Sequence, residues 1–103
     1  MLVRVVEPGK TAFQLRKGEE GISVFTSEGV DPPLTDSEIL GAFRPGSQTV
    51  SRSQEEIGAK GLLVVPIPGA EPLPPRLRSA HAEIRPGPGM NRSQFKQVLK
   101  ELE

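Results

Sequence analysis

The sequence predicts a small α+β domain with a mixed or antiparallel sheet, two short helices and an amphipathic C-terminal helix. Three observations carry this. Several short runs alternate apolar and polar residues at the strand period, and only the C-terminal segment holds a long stripe at helical spacing. The two kinds of segment also follow one another without a βαβ rhythm. At 103 residues the chain has room for one domain. We read residues 1–85 as its core, 86–89 as a Pro-Gly hinge, and 90–103 as a helix packed on the core or on a partner.

The elements follow in order. Residues 2–7 are rich in β-branched side chains and stop at Pro8-Gly9, so a first strand is expected. Residues 10–16 alternate weakly around Phe13 and Leu15 and read as an extended arm. After a polar turn over 17–21, Ile22-Ser23-Val24-Phe25 reads as a strand. Gly29 and Pro32-Pro33 make 26–33 a loop. Thr35-Asp36-Ser37-Glu38 fits a capping box, opening a short helix whose apolar side is Ile39, Leu40 and Phe43. Thr49-Val50-Ser51 predicts a brief strand. Ser53-Gln54-Glu55-Glu56 is a second capping box, and its helix closes at Gly61. Residues 62–67 are the most apolar run and predict a buried strand, cut off by Pro66 and Pro68.

A loop with three prolines spans 69–75, and a strand is expected over 77–85. Within it Ala80, Ala82 and Ile84 share one face, and His81, Glu83 and Arg85 the other. Pro86-Gly87-Pro88-Gly89 breaks the chain. Beyond it Met90, Phe95, Val98, Leu99 and Leu102 form the helical stripe, with Asn91 and Gln94 repeating the capping chemistry.

Composition narrows the function. Thirteen basic and thirteen acidic residues cancel, so the broad positive field of a nucleic-acid binder is absent and such a partner is not expected. Arg76, Arg78, Arg85 and Arg92 would be the residues of that lesser option. With no cysteine, disulfides, thiolate nucleophiles and Cys-ligated zinc are excluded. One histidine leaves any metal site to carboxylates, whose spacing does not supply one, so no metal and no cofactor are expected. Neither a signal-peptide pattern nor a run of membrane-span length is present, so a cytoplasmic protein off the membrane is expected.

The densest chemistry is the face of His81, Glu83 and Arg85. A carboxylate beside an imidazole can orient it, and a neighbouring guanidinium can take a phosphate or carboxylate. Arg4 lies inside the apolar first strand and needs a partner if both faces are covered; Glu83 is the natural carboxylate. At a sheet edge it would instead guard against aggregation. Ser23, flanked by apolar residues, and Thr11 supply hydroxyls, but no Gly-x-Ser-x-Gly or other motif places a base beside them. The pairs Glu19-Glu20 and Glu55-Glu56 point apart and read as solvated surface. Pro72-Leu73-Pro74-Pro75-Arg76 reads as a stiff connector or a short polyproline ligand.

Thr11-Ala12-Phe13, Gly21-Ile22-Ser23-Val24-Phe25, Glu56-Ile57, Gly61-Leu62 and His81-Ala82-Glu83-Ile84 occur in that order. In these residues the chain resembles a small bacterial domain family of uncharacterised role, over about residues 1–85. The resemblance implies a shared site at Phe13, Ser23 and His81. The order Arg4, Ser23, Glu83 is also similar to that of ADP-ribosyltransferase-like toxins, although their Ser-Thr-Ser and Glu-x-Glu patterns are missing. The expected function is thus a non-enzymatic protein- or ligand-binding module, of the kind found in toxin–antitoxin or defence operons. Phe13 and Arg85 are its ligand-binding candidates, and a protein partner or second copy would dock on the C-terminal helix. The alternative is a small transferase or RNA-processing enzyme using Arg4, Ser23, His81 and Glu83.

Overall fold

A computed structural model describes residues 1–69 and 72–103. Five strands, β1 (Leu2–Val6), β2 (Ile22–Thr26), β3 (Gln48–Arg52), β4 (Leu63–Pro66) and β5 (His81–Arg85), form one sheet in the order β3-β1-β2-β5-β4. Every pairing is antiparallel, which settles the choice left open by the sequence. The helices are α1 (Asp36–Leu40), α2 (Gln54–Ala59), α3 (Pro75–Ala80) and α4 (Arg92–Lys100). The fold is α+β, as the sequence predicts.

The pleat divides the core in two. On one face Leu2, Ile22, Val24, Ala82 and Ile84 pack with Ile57 of α2 and with Phe95 and Leu99 of α4. On the other, Val3, Val5 and Phe25 pack with Ile39 of α1 and with Leu77 and Ala80 of α3. The central strands β1, β2 and β5 are therefore covered on both sides over much of their length. Both sets of side chains along β1 are then largely apolar, which explains its Leu-Val-x-Val-Val pattern, interrupted only at Arg4.

The stripe of α4 is buried against its own chain: Phe95 is 1% exposed and Leu99 0%. Its capping box is complete, with Asn91 and Gln94 each bonding the other's backbone amide. Past the helix, Leu102 stays buried, and its carbonyl accepts from Arg52 Nε at 3.0 Å. The Ser53–Glu56 box of α2 is likewise complete. At α1 only half forms: the Thr35 hydroxyl accepts from the Glu38 amide at 3.2 Å, while the Glu38 carboxylate turns to Arg76 at 2.6 Å. That pair ties α1 to α3, and the guanidinium holds the Glu38 carboxyl below its usual range.

Two predicted elements need correction. The strand expected over 77–85 begins only at His81; residues 75–80 are α3. Pro75 sits in the first turn, where its fixed φ suits a helix and its missing amide costs nothing, and Arg78 N donates to Pro74 O at 2.9 Å. Ala80 therefore packs with Leu77 on the opposite side of the sheet from Ala82 and Ile84. The polyproline-like 72–76 segment is in part this helix start. The middle of the predicted 69–75 loop, residues 70 and 71, lies outside the described residues.

The second correction concerns 62–67, which is an edge rather than a buried strand, with Leu63 46% exposed. Ile67 N bonds to His81 O at 3.0 Å, so by alternation the backbone of Val64 and Pro66 faces the free edge. Pro66 needs no partner there, and its missing donor makes the edge a poor template for another strand.

Candidate functional site

β1 pairs with β3 along all five residues but with β2 only at Leu2–Thr26 and Val3–Phe25. Past Val3 the two strands part, and Arg4 sits at the opening. Its Nε donates to the Ala12 carbonyl at 2.8 Å and its Nη1 to the Ser23 carbonyl at 3.0 Å. The guanidinium thus satisfies two backbone acceptors, one on β2 and one on the arm between β1 and β2. Neither sequence-based reading of Arg4 describes this, since its partners are carbonyls rather than Glu83 and β1 is central. Burial lowers its pKa from the ordinary value; Glu19 opposes that shift, Arg16 adds to it, and Glu7 opposes it.

His81 opens β5 opposite Phe25. Its ring packs edge-on to Phe25, centroids 5.7 Å apart, and Phe25 packs the same way on Phe43 at 6.0 Å. Nδ1 lies 2.9 Å from the Ile67 carbonyl. A carbonyl only accepts, so Nδ1 carries the proton and Nε2 presents its lone pair when the ring is neutral. Nε2 has no protein partner among the described residues and is not sequestered from solvent. The imidazole is therefore oriented by a backbone carbonyl from the β4 end, and not by Glu83.

These groups surround a cavity of about 220 Å³, lined chiefly by Arg4, Ser23, Phe25, Phe43, Leu73 and His81. A second hollow of about 130 Å³ adjoins it, sharing Arg4, Val5 and Phe43 and adding Lys10, Thr11 and Arg16. The two hollows meet the same residues, Arg4, Val5 and Phe43, where β1 and β2 separate; the lining is largely apolar on the His81 side and charged on the Arg16 side.

Of the sequence-predicted residues, Arg4, Ser23 and His81 come together here. Glu83 does not line the cleft: its Oε1 takes Arg85 Nε at 2.9 Å and Nη2 at 2.7 Å, and Arg85 also reaches Glu20 at 3.7 Å. Arg85 is thus engaged by two carboxylates. Phe13 is elsewhere, 2% exposed beneath the Arg52 guanidinium, which sits 5.3 Å from its ring centroid. Its amide donates to Glu103 Oε1 at 2.7 Å, beside a hollow that it lines with Lys96 and Lys100.

Phe43, Leu73, Lys10 and Arg16 were missed as site residues. Their only sequence signal was proximity to turns, which does not distinguish a lining residue from surface. The remaining basic candidates are engaged as well. Arg76 binds Glu38 and the Pro32 carbonyl, and Arg92 binds the Glu19 and Arg16 carbonyls. Arg78 also has a partner. Among the described residues no three metal-ligating side chains converge, and no helix is long and apolar enough to cross a membrane. Searched against family models, curated proteins and solved structures, the chain matches none.

Proposed function

We propose that this chain is a non-enzymatic binding module whose ligand is a small molecule seated in the cleft between β1 and β2. One observation carries the reading: the parting of β1 and β2 leaves Arg4, Ser23, Phe25, Phe43 and His81 around a shared cavity of about 220 Å³. Such sites are typically concave and mostly apolar, with a few fixed polar groups. Here the polar residues of the lining are Arg4, Ser23 and His81, and Phe25 and Phe43 supply an aromatic wall.

The enzymatic alternative has less support. A serine nucleophile needs a base within hydrogen-bond reach, and that base needs a third group to orient it. No hydrogen bond links Ser23 to His81, and the Glu83 carboxylate is bonded to Arg85. The α4 stripe, expected to pack on the core or on a partner, is covered by the chain's own core, which favours the cleft as the recognition site.

Titration of the 15N-labelled chain with benzyl alcohol tests the reading. Saturable shifts are expected at the amides of Val5, Ser23, Phe25 and His81. Replacing the exposed Ser23 with leucine (S23L) fills the mouth of the cavity and weakens binding without unfolding the sheet. Shifts confined to other surfaces, or none at all, contradict it.

A further inference from the structure

We infer that the ligand of this cleft is an amphipathic oxyanion, its charged head held by Arg4, Lys10 and Arg16 and its apolar body lying against Phe25 and Phe43. This deepens the binding-module reading and rests on it.

Charge accounting supports the inference. Three cations and two carboxylates line the smaller hollow. Of the carboxylates, Glu7 lies 3.6 Å from Arg44, and Glu19 accepts the Arg16 amide on Oε1 at 2.7 Å. Among the described residues neither Lys10 nor Arg16 forms an ion pair through its side chain. Arg4 commits Nε and Nη1 to carbonyls, and among the described residues Nη2 has no partner. It is half-buried, with no carboxylate in contact. A partly desolvated guanidinium whose nearest carboxylates, Glu19 and Glu7, act on it without bonding it is an arrangement that a bound anion improves. The burial that lowers the Arg4 pKa points the same way.

The head site is also held in shape. The Arg4 fork is fixed at two points. The turn carrying Arg16 and Glu19 is clamped from α4, where Arg92 donates to the Glu19 carbonyl at 2.6 Å and the Arg16 carbonyl at 2.7 Å. Thr11 lines the hollow, its hydroxyl has no hydrogen-bond partner among the described residues, and a hydroxyl can donate to an oxyanion. Arg4 and Phe43 belong to both compartments, which places the charged head site beside the apolar one. Carboxylates and phosphate monoesters share this chemistry.

The test compares benzyl alcohol, benzoate and phenyl phosphate on the full chain at one ionic strength. Charge-assisted hydrogen bonds predict that at least one anion binds roughly ten-fold or more tightly than the alcohol. The better of the two identifies the head group. In the double variant K10Q/R16Q, whose sites are both exposed, anion affinity is expected to fall toward that of the alcohol. Equal affinity for alcohol and anions overturns the inference and leaves the binding-module reading standing. So does anion affinity that is indifferent to the double substitution. Failure of all three to bind overturns both.

Discussion

Deleting residues 90–103 is expected to leave a chain that does not fold. Phe95, Leu99 and Leu102 are all buried in the cluster formed with Leu2, Ile22, Val24 and Ile84. Burying each such side chain contributes about 1.5–3 kcal/mol. Their joint loss takes a large share of the roughly 5–15 kcal/mol that stabilises an ordinary domain. The deletion also removes the Leu102 carbonyl from Arg52 and the Arg92 clamp from the turn over 16–19. Far-UV circular dichroism and amide dispersion report the outcome. A truncated chain that keeps both its melting temperature and its dispersion contradicts this account of α4. In the full chain the milder L99A is expected to lose about 2–5 kcal/mol in urea unfolding.

Gly87→Ala is expected to be the most damaging single methyl in the chain. A Cβ at Gly87 would overlap the carbonyl oxygen of Gly61 and lie 3.1 Å from its carbonyl carbon. Those are backbone atoms and cannot rotate aside. Gly61 is itself fixed at a φ of 79°, with its amide bonded to Gly58 O at 2.9 Å. Gly87 therefore sits in close backbone contact with the turn that follows α2. Overpacking of this kind costs about 3 kcal/mol or more when backbone must move. Gly58→Ala is the control: it sits in α2 with open space at its Cβ, and a change within about 1 kcal/mol is expected. A loss below about 1 kcal/mol in G87A would show that the two turns separate easily.

How much of this was legible depended on how local the cause was. The Ser53 and Asn91 capping boxes, the α4 stripe and the alternation of β2 are set by neighbours within four residues, and each appears where the pattern predicts. The helix α3 did not show itself. Six residues are less than two turns, its N-cap is a proline with no side-chain bond, and its last residue is an alanine. That alanine continued the alternation of Ala82 and Ile84 across the junction and hid the change of element.

The candidate site was legible in its residue types but not in its geometry. Arg4, Ser23 and His81 stand out by chemistry. Which of them meet depends on where β1 parts from β2, and no short pattern encodes that. Glu83 and Arg85 illustrate the limit. Placing them on one face was sound, and the same proximity pairs them with each other instead of with His81 or Arg4. The half-formed capping box at Thr35 has the same origin, since Arg76, distant in sequence, draws away the Glu38 carboxylate.

The Ile67 carbonyl holds the His81 ring at the wall of the cleft proposed to take the ligand, and leaves Nε2 bare in the neutral ring. Long-range 1H–15N correlation of the His81 ring tests it directly. The neutral ring is expected to carry its proton on Nδ1, with a bare Nε2 whose resonance moves on addition of benzyl alcohol. A ring protonated on Nε2, or a bare Nε2 that does not respond as the alcohol is added, would contradict it.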